Sequence, residues 1–258
     1  MNRAMNTFMT FTAAVMTLSI IAAAPAAEWG ALKGRFVVDG TPPTPNPLVV
    51  TKDQHCMNKK PINESVLVGD DGSLANALVY VRLGRRDKID VHPDYAAKLS
   101  EAVELDNGGC RFVPHVTLLR AGQPFLLKNS DPVGHNTNVG LFNQIIPAGG
   151  ETTTKIDRAA AVPLPVTCNI HPFMKGFVLV QDHPYMAVSA EDGTFEIKNI
   201  PAGKREFQFW HETGYLRELK LDGGTTDRRG RLELIIKAGQ TLDLGDIRVP
   251  AASLEAGR

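Results

Sequence analysis

Cys168-Asn169-Ile170-His171-Pro172-Phe173-Met174 sets a thiol, an imidazole and a thioether within seven residues. A chain can aim three such side chains at one point by turning tightly between two strands, so this segment constrains the fold more than any other. The flanks agree. Lys175-Gly176-Phe177-Val178-Leu179-Val180 reads as a buried strand, and Val162-Pro163-Leu164-Pro165-Val166-Thr167 as a proline-punctuated extended segment. A further imidazole, His135, follows the strand candidate Pro124-Phe125-Leu126-Leu127-Lys128 and the turn-forming Asn129-Ser130-Asp131-Pro132.

Two histidines, a cysteine and a methionine are the donor set of a blue-copper centre, with the imidazoles and thiolate in a trigonal plane and a weak axial thioether. His135, Cys168, His171 and Met174 are therefore the candidate copper ligands. Each of these types alone is more often a core or loop residue, and their joint spacing is what points to a metal.

The segment from Cys168 to Met174 resembles the ligand loop of the amicyanin-type cupredoxins, which also runs Cys-x-x-His-Pro-Phe-Met. The upstream His135-Asn136 pair matches the family pattern too, and the likeness covers roughly residues 110 to 182. It implies one type 1 copper ion and a Greek-key β-sandwich. Asn136 would tie the two ligand loops together. His171 would present its ring edge through an apolar patch, with Pro172 and Phe173 as the docking surface for redox proteins such as a c-type cytochrome or a dehydrogenase. Loops of this family often carry proline two residues after the cysteine, where this chain has Ile170. The Ile170 amide is expected to add a hydrogen bond to the Cys168 sulfur and raise the potential.

The remaining cysteines, Cys56 and Cys110, have no ligand-like surroundings and are expected to form a disulfide, which leaves Cys168 to the metal. Arg3, the apolar run from Phe11 to Ala24 and the small residues Ala24-Pro25-Ala26 read as an export leader over residues 1–26. The expected location is periplasmic or secreted, with no membrane span. Removing Arg3 with the leader leaves 27 basic against 28 acidic residues, and no basic stripe marks a nucleic-acid partner. No His-x-His pair, P-loop, HExxH or nucleophile elbow occurs, so the chain is not expected to be an enzyme.

Elsewhere the pattern is that of an all-β chain. Gly34–Val38, Ala77–Val81, His115–Leu119, Phe177–Val180, Phe195–Ile197 and Leu232–Ile236 read as strands, punctuated by Asp-Gly and Asn-Gly turns. One short helix is expected around Pro93 to Ala102. His115 reads as a hydrogen-bonded core residue. Asp192-Gly193-Thr194-Phe195-Glu196-Ile197, with Pro201 and Gly203, resembles the hairpin signature of carboxypeptidase-regulatory-like (transthyretin-like) sandwich modules. The expected organisation is a cupredoxin-like domain over 28–182 and a small second sandwich over 184–250.

The function this predicts is shuttling of single electrons. A copper chaperone or buffer, and a surface-binding module with a secondary copper site, are the alternatives from other classes.

Overall fold

The computed structural model describes residues 1, 29–84 and 86–255, and the expected leader at 1–26 lies outside them apart from Met1. Strands dominate these residues, some alternating between buried and exposed side chains and some, such as Leu78–Val81, buried on both faces. Strands β1 (Trp29–Asp39) and β2 (Leu78–Val81) come first, with helix α1 (Gln54–Lys59) between them and helix α2 (Pro93–Ala97) after. The middle of the chain forms β3 (Val103–Asn107), β4 (Phe112–Val113), β5 (Val116–Arg120), β6 (Phe125–Lys128) and β7 (His135–Asn138). It continues through β8 (Asn143–Ile146), β9 (Glu151–Thr154), β10 (Leu164–Thr167) and β11 (Lys175–Gln181). Then come β12 (Met186–Val188), β13 (Thr194–Pro201), β14 (Gly203–His211) and β15 (Gly214–Tyr215). The short pair β16 (Lys220–Leu221) and β17 (Gly224–Thr225) precedes β18 (Arg231–Ile236) and β19 (Thr241–Pro250).

The middle strands make two sheets, ordered β5-β11-β10-β7-β8 and β4-β3-β6-β9. Leu119, Val166, Val178 and Val180 from the first meet Leu105, Phe125 and Leu127 from the second in one core. The first and last strands of the described residues share the other sandwich. Its sheets run β13-β1-β19 and β12-β2-β14-β15, with β18 paired to β14. Here Leu32, Phe36, Phe195, Ile197 and Ile247 pack against Val79, Val81, Phe207, Phe209 and Leu234.

The linear division at 182–184 is therefore corrected by the strand pairing. The Asp192-Gly193 hairpin does form, but β13 finds its partner in β1, more than 150 residues earlier in sequence, with Phe195 opposite Gly34. The run at Ala77–Val81, expected within the copper domain, pairs with β12 and β14 instead. The physical reason is that β13 and β14 alone have an apolar face with nothing to cover it, and β1, β2 and β19 supply the cover. Gly193 adopts φ +78°, and a Cβ there would lie 2.4 Å from the Phe36 carbonyl oxygen, so the turn between β12 and β13, which packs against β1, admits no larger residue.

The two sandwiches meet through a third apolar cluster of Leu78, Tyr80, Val116, Leu179 and Trp210. Strands β5 and β11 thus bury side chains on both faces. Among the described residues no helix is long and apolar enough to cross a membrane.

Candidate metal centre

His135 opens β7, Cys168 follows β10 and Met174 precedes β11, so the candidate ligands gather at the ends of three neighbouring strands. Thr167 pairs with Asn138 on one side and with Lys175 on the other, which fixes the hairpin from Cys168 to Met174 beside His135. Gly176 lets this hairpin approach β5, since a Cβ there would stand 2.9 Å from the His115 carbonyl oxygen.

The side chains converge. His135 Nδ1 and His171 Nδ1 are 2.9 Å apart, and the Cys168 sulfur lies 4.0 Å from the first and 3.8 Å from the second. A point in the plane of these atoms and equidistant from them is about 2.1 Å from each, which matches ordinary metal–nitrogen and metal–sulfur bond lengths. His135, Cys168, His171 and Met174 are all at most 1% exposed. Met174 is buried in the same cluster as Cys168, and its amide donates to the His171 carbonyl at 2.9 Å.

Each imidazole is braced on its far nitrogen. His135 Nε2 lies 3.0 Å from Asp131 Oδ2, and His171 Nε2 lies 2.6 Å from Asp53 Oδ2. With both Nε2–H groups donated to carboxylates, two Nδ1 lone pairs face one another across 2.9 Å, an arrangement that a shared cation relieves. Burial, opposed by the Asp131 hydrogen bond, holds His135 below the ordinary imidazole pKa and so keeps its ring neutral. Burial would raise the Asp131 carboxyl. The amides of Cys110 and Gly109, at 2.7 and 2.8 Å, and the rings of His55 and His135 outweigh burial and hold Asp131 below its usual range.

Asn136 joins the two ligand loops. Its Oδ1 accepts the amides of Asn169 at 2.8 Å and Ile170 at 3.2 Å, and its own amide points to the Cys168 sulfur at 3.5 Å. This corrects the expectation for Ile170, whose N–H goes to Asn136 because that oxygen sits across the mouth of the turn. The sulfur receives the His171 amide at 3.4 Å instead.

The expected open edge at His171 is also corrected. The ring is fully buried, because Asp53 and α1 fold over it from a strap that precedes β2. Cys56 in α1 is bonded to Cys110, and its sulfur lies within 4.8 Å of a ring nitrogen of both His135 and His171. Of the expected docking pair, Pro172 is exposed and Phe173 half-buried. Asp53 and Asp131 are the functional candidates that sequence reasoning missed. Asp131 had a local signal as the one carboxylate in the turn-forming segment that leads into His135. Asp53 carries no local signal, being 118 residues from its partner.

No protein-family profile matches the chain, and no curated protein matches it. Among solved structures, a purple cupredoxin from Nitrosopumilus maritimus is 21% identical, with a TM-score of 0.27, over 31% of this chain and 98% of its own. An amicyanin variant is 15% identical, with a TM-score of 0.29, over 40% of this chain and 98% of its own. A copper-containing nitrite reductase from Thermus scotoductus is 19% identical, with a TM-score of 0.27, over 39% of this chain and 25% of its own. At such scores the reading of the site rests on its side-chain geometry.

Proposed function

We propose that the chain is an exported type 1 copper protein that carries single electrons between redox proteins. The observation that carries this reading is the buried triangle of His135 Nδ1, His171 Nδ1 and Cys168 Sγ, with both outer nitrogens tied to carboxylates. The donor set suits copper, since thiolate and thioether are soft and imidazole accepts either oxidation state. A copper ion held there supplies a one-electron couple.

The protein's part is to hold the ligands still. His135 is fixed by Asp131, which is itself held by two backbone amides, and the Cys168 loop is fixed by Asn136. Burial of all four side chains keeps water and small substrates from the ion, which favours shuttling over catalysis. The Cys56–Cys110 disulfide fits an oxidising compartment. Pro172 and Phe173 form the docking rim, and a c-type cytochrome or a dehydrogenase is the class of partner such a rim would serve.

The deciding experiment is a visible and paramagnetic-resonance spectrum of the copper-loaded full chain. An intense thiolate-to-copper band that vanishes in Cys168→Ser is the expected result. Tight Cu(I) binding with no such band would replace the carrier with a copper buffer.

A further inference from the structure

A second cluster of ligand-type side chains lies outside this centre, on the wall of a cavity of about 470 Å³ between the strap and the hairpin that carries Met174. Glu64, His115 and Glu212 line it, with side chains only 10%, 6% and 13% exposed. His115 Nε2 is in hydrogen-bond contact with Glu212 Oε2. The other nitrogen, Nδ1, is buried and has no hydrogen-bond partner. It faces Glu64 Oε2 across 3.7 Å, too far for a hydrogen bond.

A histidine braced through one nitrogen by a carboxylate, with the other aimed at a second carboxylate across a gap, is how proteins present imidazole to a metal. An ion about 2.1 Å from each atom spans such a gap. We propose that Glu64 and His115, oriented by Glu212, bind a divalent ion of borderline softness, Zn²⁺ or Cu²⁺, with cavity water completing its coordination. The local charge permits it. The two carboxylates face the ring, while Arg111 pairs with the other Glu64 oxygen at 2.9 Å and Lys175 stands at the cavity wall.

The site is independent of the copper reading, and its test avoids that reading. In a full-length His135→Ala/Cys168→Ala background the first centre loses two donors. Zn²⁺ is titrated by calorimetry, and Co²⁺ by its visible absorption. One ion per folded chain is expected, with affinity at least tenfold weaker in Glu64→Gln and in His115→Ala. Glu64→Gln keeps the shape of the side chain and carries the test should His115→Ala disturb folding, which circular dichroism reports. A folded background that binds no ion, or that binds one as tightly in Glu64→Gln, overturns the proposal.

Discussion

Asp53 Oδ2 sits 2.6 Å from His171 Nε2, and this contact joins a strap before β2 to a ring after β10. Asp53 holds φ +58° and ψ 111°, outside the regions a residue with a Cβ ordinarily adopts. A strained residue at the contact point is consistent with selection for where the carboxylate lies rather than for local comfort. Replacing Asp53 with alanine removes the brace and opens the outer edge of the imidazole. The expected result is faster electron exchange of the copper-loaded protein with a small inorganic oxidant in stopped flow. Stability should fall by only about 1 kcal/mol, because the carboxylate is partly solvated. An unchanged rate would mean that the strap does not shield the centre.

Asn136 and Ile170 form the second relationship with measurable consequences. The Asn136 carbonyl oxygen accepts two loop amides, so Asn136→Ala removes the partner of both in a turn where Asn169 is exposed and Ile170 half-buried. A loss of about 1–3 kcal/mol in denaturant unfolding is expected. Ile170→Pro removes one of those donors without touching the donors to sulfur, namely the amides of Asn136 and His171. Voltammetry should accordingly find the midpoint potential little altered while stability drops by about 1 kcal/mol. A large potential shift in Ile170→Pro would show that the turn couples to the sulfur after all.

His183 sets an acid limit on the fold. Loss of hydration on burial, backed by the nearby Arg120 charge and only partly offset by the Val81 carbonyl, pushes its pKa down to about 4. Its Nδ1 accepts the Tyr185 amide at 3.2 Å and the two rings stack with centroids 5.8 Å apart, so the neutral form is the one the fold accommodates. The unfolded chain takes up the proton near pH 6.5 and the folded chain only near 4. Its contribution is therefore whole above pH 6.5 and is lost progressively as pH falls to 4, on the order of 3 kcal/mol in all. Unfolding curves at pH 7 and 4.5 should differ less in His183→Asn, which keeps an acceptor but cannot titrate. Equal differences in the two proteins would remove His183 from the account.

What could be read from the residues, and what could not, divides along locality. Leu78–Val81, Phe177–Val180 and Leu232–Ile236 are strands because runs of branched and aromatic side chains fit a pleated, buried or half-buried surface, a property of each segment alone. The clustering of Cys168, His171 and Met174 was legible from their spacing in one short loop, whereas His135, 33 residues earlier, was joined to them through the donor set and the resemblance of His135-Asn136 to the cupredoxin pattern. Partner choice was not legible. Nothing within Gly34–Val38 states that it will lie between β13 and β19, since an alternating strand suits many neighbours and the selection is made by the assembled core. Asp53 was hidden for the same reason, and its cover over His171 reverses what a minimal ligand-loop comparison implies about exposure.

The sharing of sheets between chain ends makes a definite statement about truncation. Removing residues 185–258 takes away β13, β14 and β19, and so strips β1 and β2 of their hydrogen-bonded neighbours. It also uncovers Val116 and Leu179, which pack against Trp210 and Leu78 in the intact chain. Each buried side chain of this size contributes roughly 1.5–3 kcal/mol, so losing several exceeds the margin of an ordinary domain. The truncated chain is expected to aggregate rather than bind copper. A fragment of residues 102–182 in which Val116, Leu118, Phe177 and Leu179 are replaced by polar residues, and Cys110, which loses its disulfide partner, by serine, retains both middle sheets without the Asp53 brace, and it should recover the copper spectrum if the inner sandwich is self-sufficient. Should the simple 1–184 truncation remain soluble with its spectrum intact, the pairing of β1 with β13 and β19 would not be what holds the first strand in place.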